Sequence, residues 1–131
     1  MRAAKVYLIL MGLMSVIFGV IYLIWPLSMT DPMGFGPLAP SALTDVRATY
    51  GGFQIGMGIF MLLCLRPDRL RLGMLLALIS VGAIAGCRAV GLVVDGAFTD
   101  VLKGTIGFEI TLTVVSLILF LRTPDASASA A

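Results

Sequence analysis

A small set of polar side chains sits in, or at the ends of, stretches that are otherwise apolar: Tyr22, Asp45, Arg47, Tyr50, Gln54, Arg88, Asp95 and Glu109. Their types define a narrow chemistry. A guanidinium supplies planar donors of fixed charge that suit phosphate, carboxylate or a polarised carbonyl, a carboxylate orients it, and tyrosine and glutamine add directional hydrogen bonds. The rest of the chain limits what else they can do. It has no histidine, which excludes metal and haem ligation through imidazole and any dyad using it as a base. Cys64 and Cys87 are too few to form a metal motif, and no nucleophile–base pair is evident. The expectation is a protein that is not an enzyme and holds no cofactor or metal. Catalysis would have to rest on Glu109 or Asp95 alone as acid or base.

The elements that position these residues follow from composition. Sixty per cent of the 131 residues are hydrophobic and 12% are charged, where a soluble domain carries about a quarter charged residues. Mean hydropathy is +1.08. Four apolar segments, at 6–25, 47–65, 72–94 and 104–121, are each close to the roughly 20 residues that cross a hydrocarbon core of about 30 Å. The fold class expected is therefore an all-α integral membrane protein, a bundle of four transmembrane helices over residues 1–122. An Ala/Ser-rich stretch, 123–131, is expected to be a disordered tail. The first segment exceeds the apolar core of a signal peptide and no small-residue cleavage site follows Trp25-Pro26, so it reads as a retained helix. Between the first two spans, Pro26, Pro32, Gly34, Gly36, Pro37 and Pro40 predict a long loop, with Ser41 as the cap that restarts the helix. Residues 66–71 and 95–100 read as short turns.

Charge sets the orientation. Arg2, Lys5, Arg66, Arg69, Arg71 and Arg122 fall at one end of the spans, and only Arg47 and Lys103 at the other, so the positive-inside rule places both termini in the cytoplasm. A net charge of +2 leaves no basic surface for nucleic acid. With helices fixed in direction, a rise of 1.5 Å per residue puts Arg88 about 24 Å up the core, Glu109 about 7–8 Å below the outer face and Gln54 at about 10 Å. Tyr50 and Tyr22 fall at a similar level, with Arg47 at the rim and Asp45 and Asp95 just above it. The two cysteines fall near opposite faces, too far apart for a disulfide, and are expected to be free thiols.

Lipid is as apolar as leucine, so spanning helices meet through small and polar faces. Such faces recur at helical spacing: Gly12, Ser15, Gly19 and Tyr22; Arg47, Tyr50, Gly51, Gln54 and Gly58; Arg88, Gly91 and Asp95, with Gly82 and Gly86 four apart; Thr105, Glu109, Thr113 and Ser116. The Gly52/Gly56 pair also reads as a point of close backbone contact. Because an unpaired charge inside a bilayer is costly, Arg88 is expected to pair with Glu109, and Arg47 with Asp95 or Asp45.

The chain resembles a known family at these residues. The stretches Asp45-Val46-Arg47-Ala48-Thr49-Tyr50-Gly51-Gly52-Phe53-Gln54-Ile55-Gly56-Met57-Gly58 and Gly86-Cys87-Arg88-Ala89-Val90-Gly91-Leu92-Val93-Val94-Asp95-Gly96, followed by Glu109, are similar to the domain-of-unknown-function 4345 family of small bacterial four-helix membrane proteins. The resemblance implies a multi-pass protein of the bacterial inner membrane whose motif residues are the polar ones picked out by spacing. It implies no activity.

Two readings of the polar cluster stay open. It is either an ionic staple that fixes helix register, or a pocket opening outward that binds the head group of a lipid-, isoprenoid- or quinone-like molecule. An accessory or structural subunit docked on a larger membrane complex, or on a second copy of the chain, is the alternative its size and glycine-rich faces suggest. A small proton-coupled transporter built on Glu109 is a further one. Membrane lipids are partners under every reading.

Overall fold

The computed structural model describes residues 1–96 and 98–124, so Ala97 in the second short turn and residues 125–131 of the expected tail lie outside the described residues. Every element is helical: α1 (Arg2–Ile24), α2 (Pro26–Thr30), a 3-10 turn (Asp31–Met33), α3 (Pro40–Val46), a π-helical segment (Arg47–Gly52), α4 (Phe53–Leu63), α5 (Leu70–Asp95) and α6 (Asp100–Arg122). Three of these, α1, α5 and α6, are long and apolar enough to cross a membrane.

The second expected span differs. The helix there starts at Pro40 rather than Arg47 and is divided by the π-helical segment, so α4 alone keeps only 11 residues. The backbone nonetheless stays right-handed helical across the junctions, with φ −61° and ψ −42° at Arg47 and φ −62° and ψ −44° at Phe53. Ser41 is not the cap. Ala39 holds that position without a side-chain bond, and Pro40 opens the helix because its ring presets φ where the missing N–H would have no partner. Nor is the stretch from Pro26 wholly loop, since α2 begins directly at that proline.

The chain forms two compact units. One joins Met1–Leu8 to the chain from Cys64 onward; the other is Ile9–Leu63. In the first, α5 packs along α6, and Met74, Ala77, Val81 and Ala85 on α5 are buried. Leu8 and Cys64 are buried against the start of α5, where a Cβ added to Gly73 would lie 2.5 Å from Leu8 Cδ2 and 2.6 Å from Cys64 Cβ. Thr99 caps α6 by accepting from the Leu102 N–H at 3.3 Å, and Asp100 and Arg122 match the helix dipole at its two ends. Gly96, at φ +65°, ends α5 in the left-handed conformation that favours glycine. Both cysteines are free, Cys64 buried and Cys87 exposed.

The second unit is built on glycine. A Cβ added to Gly58 would lie 2.5 Å from the Gly12 carbonyl oxygen, and one added to Gly19 would lie 2.7 Å from the Gly51 carbonyl oxygen. Two glycines on α1 therefore face two on the helix that runs back beside it, each pair seven positions apart, and the backbones touch. The Gly52/Gly56 pair expected to do this does not. Nothing lies within 4 Å of a Cβ at Gly56, and Gly52 reaches only the Arg47 carbonyl oxygen at 4.0 Å. Gly86 likewise meets nothing within 4 Å, while Gly82 meets Thr113 Cγ2 at 3.5 Å.

Candidate functional site

The expected polar residues fall into two groups, one in each unit. Arg88 and Glu109 belong to the α5–α6 pair. Arg88 donates Nε to Glu109 Oε2 at 2.8 Å and Nη2 to Oε1 at 2.8 Å, with a longer Nε–Oε1 contact of 3.1 Å. This is the side-on, bidentate arrangement that a guanidinium makes with a carboxylate. The predicted pairing is therefore present, and it joins mid-helix positions on two apolar rods. The Glu109 side chain is 11% exposed and that of Arg88 26%, so the cation is the more open partner. Thr113 donates to the Glu109 carbonyl oxygen one turn along, at 2.8 Å. Asp95 is the last residue of α5 and is exposed.

In the Ile9–Leu63 unit, Tyr22 stacks on Tyr50 with ring centroids 5.3 Å apart, and Phe35 meets Tyr50 edge-on at 6.4 Å. Arg47 donates Nε to the Leu23 carbonyl oxygen at 3.0 Å. Among the described residues no ion pair joins it to Asp45, which is exposed. The correction has a geometric reason: Asp45 precedes Arg47 by two positions on one helical run, and residues two apart on a helix do not face each other. Arg47 instead answers one of the carbonyls that the C-terminal turn of α1 leaves without an intrahelical donor. Gln54 is half-buried and makes no side-chain hydrogen bond among the described residues.

Several residues that spacing did not single out hold the α5–α6 unit. Tyr7 donates its hydroxyl to the Leu112 carbonyl oxygen at 3.0 Å and shares a 2.8 Å hydrogen bond with Ser116, which is fully buried. A tyrosine hydroxyl buried among apolar side chains usually finds a hydrogen-bond partner, and that is the signal that would have found it. At the same end, Arg71 lies over the Phe120 ring, 4.5 Å from its centroid, and donates Nη1 to the Thr123 carbonyl oxygen at 2.6 Å. Thr123 is 3% exposed, and its hydroxyl donates to the Leu119 carbonyl oxygen at 2.7 Å. It was expected in the tail but belongs to the helix end, because Arg71 reaches across to satisfy it. Replacing Tyr7 with phenylalanine is expected to cost about 1 kcal/mol, the usual worth of a hydrogen bond between membrane helices. Unfolding in mixed micelles checks this.

The family model described as Domain of unknown function (DUF4345) matches residues 3–120. That match takes in both polar groups and all but the outermost residues of α1 and α6. No curated protein and no solved structure matches the chain.

Proposed function

The chain belongs to the DUF4345 family, and we propose that it is a four-span protein of the bacterial inner membrane, both termini cytoplasmic, that binds the polar head of an amphipathic small molecule at Arg88. The helical run from Pro40 to Leu63 is the second crossing, its π-helical segment being a local widening within one continuous helix. The orientation follows from the basic residues at the ends of the spans.

The observation that supports the binding reading is the side-on Arg88–Glu109 pair. Buried charges within a membrane helix are costly and mark functional sites by default. Glu109 holds one edge of the guanidinium by two nitrogens, which fixes the plane of the group before any ligand arrives and reduces the ordering cost of binding. Arg88 keeps about a quarter of its side chain exposed. A phosphate, or a carbonyl of the lipid, isoprenoid or quinone kind, fits that donor set, with the apolar helix faces beside it for the tail.

Mass spectrometry of lipids extracted from purified wild type and Arg88→Ala protein tests the reading. The wild type is expected to carry one enriched amphiphile. The variant is expected to lose it roughly tenfold or more, since a hydrogen bond to a charged group is worth about 1.5–3 kcal/mol. Identical lipid profiles would reject the site.

A further inference from the structure

We infer that the segment from Trp25 to Leu38 is an interfacial anchor, lying in the boundary between lipid head groups and acyl chains with Trp25, Leu27, Met33 and Phe35 inserted into it. The inference rests on the chain crossing a membrane and is independent of any ligand at Arg88. The first ground is exposure. These four large apolar side chains sit in a non-spanning segment and are respectively 61%, 44%, 37% and 48% exposed. A water-facing connection would carry polar residues at such positions.

The second ground is continuity. α1 has 23 residues, about 34 Å of helix, which slightly exceeds a hydrocarbon core of about 30 Å. Trp25 follows its last residue directly and therefore lies at the level where tryptophan is enriched in membrane proteins. The exposed apolar surface of α1, including Phe18, Leu23 and Ile24, continues into Trp25 and Leu27 without a polar break. The third ground is local build. Pro26 and Thr30 turn inward and are buried, while Leu27 between them turns out. Phe35 is presented between Gly34 at φ +79° and Gly36 at φ +70°, both in the left-handed region, and its ring rests against Tyr50. An open cleft of about 610 Å³ within the segment is lined by Leu27, Leu38, Pro37, the two glycines and Asp31.

Asp31 is the only charged residue of the segment. The partner is therefore the apolar part of the interface, with no requirement for anionic lipid.

The chain has one tryptophan, so intrinsic fluorescence reports this segment alone. The full chain is reconstituted in phosphatidylcholine vesicles carrying bromine either near the head of the acyl chain or near its end. Blue-shifted emission is expected, quenched severalfold more by bromine near the head, and only weakly by aqueous iodide. Leu27→Asp with Phe35→Asp is expected to shift emission to the red and raise iodide quenching severalfold. Emission typical of water with strong iodide quenching in the wild type overturns the inference. So does stronger quenching from the chain end, which would place the segment in the core. Protection from both bromine and iodide in these vesicles also overturns it, because a second copy of the chain would then cover the patch.

Discussion

Arg88→Ala is expected to destabilise the protein by about 3–5 kcal/mol, the cost of stranding one member of a buried ion pair. The side chain of Glu109 is 11% exposed, and Arg88 is the cation bonded to both of its carboxylate oxygens. Replacing both residues with methionine is expected to recover more than half of the loss, because neither charge is then left without its counterpart while side-chain volume is roughly kept. Reversible unfolding in mixed micelles, arranged as a double-mutant cycle, measures both numbers. A double variant as unstable as Arg88→Ala would mean that packing, and not the pair, accounts for the effect.

The same double variant separates the two meanings of the pair. A buried salt bridge is weak evidence for stability, since apolar replacements of similar volume often match it. If the double variant folds and loses the co-purifying amphiphile, the charges serve binding. If it folds and keeps the amphiphile, they are a register device between α5 and α6. Stability and binding are thus read on one protein.

The α5–α6 pairing was legible in the sequence because both residues lie in long apolar runs where a charge is costly without an opposite one, and depth arithmetic placed them within reach. Arg47 was not legible in the same way. Counting along the helix set its height, but its partner is a backbone carbonyl at the end of α1, and backbone acceptors have no residue type to read. The glycines show a similar division. Gly12, Gly19, Gly51 and Gly58 fell on the predicted faces and do meet, whereas the four-residue spacing of Gly52 and Gly56 suggested a contact that is absent. Regular geometry accounts for this: Gly56 is two residues before Gly58 on α4, about 160° round the axis from it, so a face that brings Gly58 to α1 turns Gly56 away. The π-helical segment, which begins at Arg47 and closes with the Phe53 N–H bonded to the Ala48 carbonyl oxygen, had no signal in residue type. The start of that helix at Pro40 was obscured because prolines clustered in a loop-like stretch also serve as a first helical residue.

The glycine seam is the sharpest test of the Ile9–Leu63 unit. Gly58→Ala is expected to cost about 1–3 kcal/mol, the range for overpacking a tight contact. The new methyl group would meet the Gly12 carbonyl oxygen at 2.5 Å and the Val16 backbone nitrogen at 2.9 Å. Neither atom can move by changing a rotamer, so the helices themselves must part. Gly56→Ala, two residues earlier on the same helix, meets nothing within 4 Å and is expected to be neutral, or to stabilise by up to about 1 kcal/mol through helix propensity. Gly19→Ala, 2.7 Å from the Gly51 carbonyl oxygen, should resemble Gly58→Ala, while Gly51→Ala, with its closest contact at 3.2 Å, should cost less than either. Thermal unfolding in lipid nanodiscs, followed by helical circular dichroism, ranks the four. Equal shifts for Gly58→Ala and Gly56→Ala would refute the seam, because residues two apart on α4 lie on opposite sides of the helix and only Gly58 faces α1.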